Sequence, residues 1–164
     1  MRRALLLLSL ALSACAPTIQ QYQEPPWGDA PLPRPDEVTE ITVDHLKCTA
    51  DKCKRALVTL RRDGRAYRQE LVGGTLESYS AGTIDSTTFV ELAKALIGSD
   101  FFRRGQHDER DIGIISEQWV LSAATFCRRK AAEAPPTLAG VDWAKVMEER
   151  DWRRVSRDGD GDQF

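Results

Sequence analysis

The stretch RALVTLRRDGRAYRQELV, residues 55–72, decides the fold that we predict for this chain. Two strand-like runs, 55–60 and 65–72, stand on either side of Asp63-Gly64. An Asp-Gly pair between two such runs is a strong signal for a β-hairpin, because glycine takes the positive φ of a tight turn at little cost. The sequence therefore predicts two neighbouring antiparallel strands here.

Further strands are predicted on both sides of this hairpin. Glu40–Leu46 alternates and is rich in β-branched residues, which is typical of a strand. Gly73-Gly74 supplies the next turn, and 76–84 forms the strand after it. Later in the chain, 114–123 and 125–129 also favour strand, so we expect an antiparallel sheet of about five strands.

Two helices are predicted between and after these strands. Asp85 or Ser86 can cap the first helix, and Gly98 is expected to end it in a left-handed turn. Its apolar stripe has helical spacing and consists of Phe89, Leu92, Ala93, Leu96 and Ile97. The second helix covers 141–150, with Trp143, Val146 and Met147 on one face. Phe101-Phe102 and Trp119, Trp143 and Trp152 are expected in the core. The fold class is α+β: one domain, with both helices packed on one face of the sheet.

The order of these elements resembles an uncharacterised bacterial domain that is often found on lipoproteins, the domain-of-unknown-function family numbered 6438. That family pairs a C-F-G-x-C-P-x-Y motif with an Asp-Gly hairpin; here four residues separate the cysteines instead of three, and Lys54 replaces the proline. The family has no assigned activity, so the resemblance implies a fold and a location but no chemistry. The matching positions are Ile41-Thr42-Val43, Cys48, Cys53, Asp63-Gly64, Gly82, Phe89, Leu92, Asp100-Phe101-Phe102 and Asp111.

The N-terminal residues are typical of an export signal. Met1-Arg2-Arg3 is a positive head, 4–11 is almost all Leu and Ala, and Leu12-Ser13-Ala14-Cys15 follows. This arrangement resembles the bacterial lipoprotein signal, in which the Cys is acylated and begins the mature chain. An ordinary cleaved signal and a single membrane anchor are the alternatives, but a spanning helix needs roughly 20 apolar residues, about twice this length. We expect lipidation at Cys15, and Ala16 resembles the outer-membrane class.

The chain then divides into four parts. Residues 1–14 are the signal, 15–38 a Pro-rich tether, 39–155 the α+β domain and 156–164 a polar tail. Proline at the density of the tether favours extended polyproline II and an unfolded spacer. Pro31-Leu32-Pro33-Arg34-Pro35 could instead be a docking peptide for a partner.

The net charge and the cysteines limit the partners and the compartment that we expect for this protein. The formal charge of −2 becomes about −4 without Arg2 and Arg3, which argues against a nucleic-acid partner. Export implies an oxidising compartment, so Cys48 and Cys53 are expected to form a disulfide, and Cys127 to be a small buried apolar residue on a strand.

Two other readings of the cysteines stay open. Redox exchange at Cys48 and Cys53 is suggested by the surrounding Lys47, Lys52, Lys54 and Arg55, because nearby positive charge activates a thiol. A zinc site of His45 and the three cysteines is disfavoured, because structural zinc ligands usually come as two close pairs. We predict no metal and no cofactor.

Two polar motifs carry no predicted chemistry. Gln106-His107-Asp108-Glu109 is taken as a solvated loop, since acid–base catalysis needs groups that converge in a pocket. Residues 158–162 resemble the start of a calcium loop but lack the required Gly and Glu. We therefore predict no catalytic residue.

The predicted function follows from the anchor and from this lack of a catalytic set. The protein is expected to lie in the cell envelope, held by lipid on Cys15 at the outer membrane and facing the periplasm. Its domain is expected to be a non-catalytic binding or inhibitor module, with an envelope protein or polymer as partner. The alternative is a periplasmic thiol–disulfide exchange protein that uses Cys48 and Cys53.

Overall fold

The computed structural model describes residues 27, 30–104, 116–148 and 150–155. The predicted signal, Cys15, the 106–109 motif, Asp111 and the tail 156–164 lie outside these described residues. The elements are β1 (Glu40–Cys48), β2 (Cys53–Arg61), β3 (Arg65–Val72), β4 (Thr75–Thr83), α1 (Ser86–Gly98), β5 (Glu117–Ala124), β6 (Arg129–Glu133), α2 (Trp143–Glu148) and β7 (Arg153–Arg154). Short 3₁₀ turns cover Phe101–Arg103 and Leu138–Gly140.

The predicted α+β class is confirmed, with a larger sheet than expected. Seven strands form one antiparallel sheet in the order β6-β5-β1-β2-β3-β4-β7. The prediction of about five strands was too low, because β7 has only two residues, and the strand predicted at 125–129 was misplaced, since β6 begins at Arg129 and residues 125–128 form the turn before it. Neither segment favours a strand by composition, so pairing with β5 and β4 makes them strands.

The turns agree with the glycine pattern at the hairpins but not at the end of α1. Gly64 has a φ of 90°, as the predicted Asp63-Gly64 turn requires, and Gly73 and Gly74 are also positive in φ. Gly98, in contrast, is the last helical residue and is not left-handed. The prediction for Gly98 was wrong, because Ser99 caps the helix instead: its hydroxyl donates to the Leu96 carbonyl at 2.7 Å.

The start of α1 is capped as predicted. The Asp85 carboxylate accepts from the Thr88 N–H at 2.8 Å, which satisfies one of the backbone donors left over in the first turn. The hydrogen bond from the Thr88 hydroxyl, reinforced by this backbone one, holds the pKa of Asp85 below its ordinary value.

The hydrophobic core lies between one face of the sheet and the two helices. Buried strand residues alternate along β1, β2 and β5, so they share a face: Ile41, Val43, Val58, Leu60, Leu121 and Ala123. The buried residues of α1 and α2 belong to the same core cluster. Phe101 and Phe102 are also buried in it, as predicted.

The three tryptophans predicted in the core differ in burial. Trp143 is fully buried, and its indole N–H donates to the Leu138 carbonyl at 3.0 Å. Trp119 and Trp152 are only half-buried. Trp152 packs over Gly82, where a Cβ would lie 3.1 Å from the Trp152 ring. This close approach explains a glycine within β4.

Part of the predicted tether belongs to the folded domain. Trp27 is 5% exposed, and its ring centroid lies 4.7 Å from that of Phe102. Pro33 and Val38 are buried as well. The chain therefore packs on the core before residue 39. Burial of the large apolar indole ring favours this packing over an extended, solvated spacer. The last part of the predicted tether does not act as a spacer.

No helix within the part of the chain that the structure describes is both long enough and apolar enough to cross a bilayer.

Candidate functional site

The predicted disulfide between Cys48 and Cys53 is present and closes the β1–β2 hairpin. The two cysteines lie directly opposite each other in the register of the strands. The Cys48 N–H donates to the Ser116 carbonyl at 2.8 Å, and the Cys53 carbonyl accepts from the Gly73 N–H at 3.0 Å. The backbone of each cysteine is thus hydrogen-bonded to a neighbouring segment, in addition to the disulfide between the two side chains.

The surroundings of this disulfide differ from those of a redox pair on a helix. Cys48 and Cys53 end and begin strands, whereas thioredoxin-type pairs lie near the start of a helix in a C-x-x-C motif. Of the four basic residues nearby, Arg55 is engaged with Asp44, to which its Nε donates at 2.9 and 3.0 Å. The disulfide therefore has the geometry of a hairpin staple.

Cys127 does not lie where the sequence analysis placed it. It is exposed in the turn between β5 and β6, not buried on a strand. Its sulfur is not that of a free thiol. The prediction of a buried apolar cysteine was wrong because the strand ends at Ala124, three residues earlier.

A cavity of about 260 Å³ lies next to the disulfide-closed hairpin. It occupies the continuation of the core face of the sheet toward the 48/53 end of the strands, and we call it the shelf. Its residues come from β1 to β4 and from the irregular pairing of β3 with β4: His45, Lys47, Lys54, Arg55, Ala56, Glu70, Leu71, Val72 and Glu77. Every wall is part of a hydrogen-bonded sheet, which fixes the backbone of the shelf.

An aromatic pair bounds one side of the shelf. The rings of His45 and Trp119 stack with centroids 3.9 Å apart, on neighbouring strands. The Nε2–H of His45 donates to Glu117 Oε1 at 2.8 Å. That hydrogen bond holds the pKa of Glu117 below its ordinary value, and the nearby Lys47 adds to the shift.

The opposite side of the shelf is formed by Glu70, whose two carboxylate oxygens both accept hydrogen bonds. The Ser78 hydroxyl donates to Glu70 Oε2 at 2.8 Å, and the Arg68 guanidinium donates to Oε1 at 2.7 and 3.1 Å. The pKa of Glu70 is lowered first by the Ser78 hydrogen bond; partial burial opposes that shift and Arg68 reinforces it. Glu70 is therefore a fixed anion with both oxygens bonded, and poorly suited to act as a base.

A change of register shapes the outer edge of the shelf. Ser78 pairs with Glu70, but the next pair is Leu76 with Leu71, which leaves Glu77 without an opposite residue. Such a bulge bends the strand and redirects a side chain. Here the side chain is that of Glu77, which lines the cavity.

Two lysines face each other across the shelf. Lys47 and Lys54 are directly opposite in the pairing of β1 with β2, and both side chains are exposed. Glu117 lies across from Lys47 on its other side, but its carboxylate is bonded to His45. Like charges directly opposite on neighbouring strands destabilise the sheet. Nearby carboxylates offset part of this repulsion, because Lys47 contributes to the lowered pKa of Glu117 and Lys54 to that of Glu70.

In the sequence these lysines stand out only as neighbours of the cysteines. Their pairing could have been predicted from the hairpin register. Lys47 precedes Cys48 and Lys54 follows Cys53, so a hairpin that pairs the two cysteines also pairs the two lysines. Cross-strand pairing places both on one face, away from the disulfide. Glu70, Glu77 and Trp119 come from other strands, and no local pattern connects them. Within the described ranges, no group of three or more metal-ligating side chains occurs.

Comparisons with known proteins add no relative: no family model matches the chain, and neither a curated protein nor a solved structure matches it. The resemblance to the family numbered 6438 stays a prediction.

Proposed function

We propose that this protein is a lipid-anchored, non-catalytic binding module of the cell envelope, and that the shelf binds an anionic group of its ligand. The observation that carries the ligand class is the directly opposed pair of Lys47 and Lys54. A carboxylate or phosphate between the two ammonium groups would offset their repulsion. It would also form charge-assisted hydrogen bonds, which are stronger than neutral ones.

The rest of the shelf supports binding without chemistry. Ala56 and Val72 provide an apolar floor beside the lysines. The Glu70 carboxylate and the His45 ring nitrogen are both engaged in hydrogen bonds inside the protein. The strands fix the backbone of the site in advance, so the entropy lost when a ligand binds comes mainly from ordering the two exposed lysine side chains, about 0.5–1.5 kcal/mol each.

The size of the shelf indicates what part of a partner it receives. Its volume of about 260 Å³ lies just below the range of roughly 300–1,000 Å³ for whole small-molecule sites. An end group or side group of a larger molecule fits this volume better than an entire drug-sized ligand. This favours an envelope polymer or a protein partner that presents a carboxylate or phosphate.

The test of this site replaces both lysines in the variant K47Q/K54Q. We expect inorganic phosphate and N-acetylmuramic acid, a carboxylated sugar, to shift the NMR signals of His45, Ala56 and Val72 in the parent protein. The double variant should lose at least tenfold in affinity, because two charge-assisted contacts disappear and the loss of about 1.4 kcal/mol in total already corresponds to a factor of ten. Comparing the two probes shows whether the shelf prefers a phosphate or a carboxylate group.

The matched control is Lys52→Gln, which removes a cation from the hairpin turn but not from the shelf. It should bind both probes as the parent does. Equal affinities of parent and K47Q/K54Q, or shifts confined to residues outside the shelf, would contradict the proposal.

The anchor and the location are proposed from the sequence. Leu12-Ser13-Ala14-Cys15 supports lipidation, and Ala16 supports the outer membrane. Two or more acyl chains hold a protein firmly, whereas one holds it only marginally. Because the chain already packs on the domain at Trp27, the proposed spacer shortens to residues 16–26.

A second candidate function is thiol–disulfide exchange at Cys48 and Cys53. The observation that favours it is that both cysteines are only half-buried, with Lys52 and Lys54 exposed beside them. The strand register opposes it, since the two cysteines stay opposite each other whether or not they are bonded. That preorganisation favours the oxidised form.

A redox titration separates the two functions. We expect the reduction potential of Cys48–Cys53 to lie below about −300 mV, as for structural disulfides. The measurement is a glutathione or dithiothreitol titration followed by mass analysis of the alkylated peptides. A potential between about −120 and −270 mV, the range of known oxidoreductases, would instead support exchange. The variant C48S/C53S should lose about 2 kcal/mol of stability, the value for so short a loop, while still binding phosphate at the shelf.

A further inference from the structure

A second surface, at the opposite end of the sheet from the shelf, contains an unusually exposed aromatic residue. Phe126 is 88% exposed in the turn between β5 and β6, and no other large apolar side chain of the described chain is exposed to a comparable degree. A side chain of this size at a turn tip has no role in the core. We call Phe126, Arg128 and the adjoining Trp27 the turn patch.

The turn patch lies where the chain enters the domain. A cavity of about 380 Å³ is lined by Trp27 and Phe126 together with Pro31, Pro33, Glu37 and Arg128. Trp27 follows Cys15 by only 12 residues, which span at most roughly 40 Å when fully extended. A lipid on Cys15 would therefore attach the domain to the bilayer at this end and not at the shelf.

The charged groups beside Phe126 include one carboxylate, Glu37, which is paired with Arg34 at 3.2 Å, so the exposed Arg128 is the cation that suits an anionic surface. Arg128 is exposed, and its guanidinium carbon lies 5.8 Å from the centroid of the Trp27 ring. Arg129 follows and is paired with Glu40 at 2.8 Å. An exposed aromatic ring flanked by arginines is the pattern of interfacial membrane contacts: the ring enters the acyl boundary while the cations meet the headgroups.

We propose that the turn patch contacts the surface of an anionic phospholipid bilayer, with Phe126 inserted at the interface and Arg128 on the headgroups. The orientation rests on the proposed lipid anchor at Cys15. In this orientation, β1 runs from the membrane end of the sheet toward the shelf, which then faces away from the bilayer. The ligand site is thus presented to partners in the aqueous compartment.

The experiment measures binding without the lipid anchor. The chain from residue 15 onward carries Cys15→Ser, and its far-UV circular dichroism is first matched to that of the acylated protein. Partition is measured by cosedimentation with vesicles of phosphatidylethanolamine and phosphatidylglycerol at 3:1. We expect Phe126→Ala to bind about tenfold more weakly, because a buried Phe side chain is lost. Arg128→Gln should bind about fivefold more weakly, with less dependence on salt.

The control is Lys52→Gln, a cation removed from the turn at the far end of the sheet; its partition should equal that of the parent. The proposal is overturned if the parent does not bind these vesicles, or if Phe126→Ala and Arg128→Gln bind as the parent does. It is also overturned if sedimentation velocity shows a dimer that Phe126→Ala dissociates, because a second copy then covers the patch. The anchor is judged separately, from lipid on Cys15, so the two proposals can fail independently.

Discussion

The Cys15→Ser variant of the full chain is expected to incorporate no labelled palmitate and to leave the membrane fraction when the membranes are washed, since contact through the turn patch alone is weak and reversible. The thiol of Cys15 is the proposed acceptor of the lipid, and a hydroxyl at this position cannot form the thioether. Each buried methylene of an acyl chain contributes about 0.8 kcal/mol to membrane binding, so losing the chains removes nearly all of the affinity. The measurement is cell fractionation with metabolic labelling.

The matched control is Cys127→Ser, which removes a cysteine far from the signal and should stay lipidated and membrane-bound. A Cys15→Ser protein that remains in the washed membrane fraction would undo the lipoprotein proposal. Peptide mapping of Cys127 adds a second reading, because one sulfur cannot carry both a thioether and a disulfide. A Cys15–Cys127 peptide from membrane-bound protein would likewise contradict lipidation.

The Trp27→Ala variant is expected to lose about 3–5 kcal/mol of unfolding free energy, as for other buried aromatic truncations. The indole is 5% exposed, stacks at a tilt against Phe102 and donates from Nε1 to the Pro31 carbonyl at 3.1 Å. Removing it leaves a cavity against the core and frees residues 27–38 from the domain. Chemical denaturation followed by fluorescence measures the loss.

Phe126→Ala is the control for this experiment, since its ring lines the same cavity but is exposed. It should change the stability by no more than about 0.5 kcal/mol, as usual for surface positions. If Trp27→Ala proved as mild as Phe126→Ala, then residues 27–38 would behave as the plain spacer that the proline content suggests.

Local signals in the sequence predicted the elements around the hairpin well. Asp63-Gly64 and Gly73-Gly74 mark turns whose backbone needs positive φ, a property of the residues themselves. The stripe from Phe89 to Leu96 and the cap at Asp85 predicted α1, because helical spacing and capping act within one or two turns. The pairing of Cys48 with Cys53 also needed only five residues of chain.

The failures have a common cause in contacts between distant segments. β7 is a strand only because Arg153-Arg154 pairs with β4, and Trp27 is buried only because Phe102 lies beneath it. Nothing near either residue in the sequence records its partner. The end of α1 at Ser99 and the exposed turn position of Cys127 were missed for a smaller reason: element boundaries depend on which hydrogen bonds compete locally.

The sequence alone therefore determined the hairpin, α1, the α+β class and the short disulfide, since each depends on residues close together along the chain. Only the tertiary structure decided the number of strands, the docking of residues 27–38 and the two surfaces proposed for binding. The shelf exists because β1 to β4 bring Lys47, Lys54, Glu70 and Glu77 together. The turn patch exists because Trp27 returns to Phe126 and Arg128 across about a hundred residues of chain. Such juxtapositions arise from packing of the whole domain, which has no period or motif in the sequence.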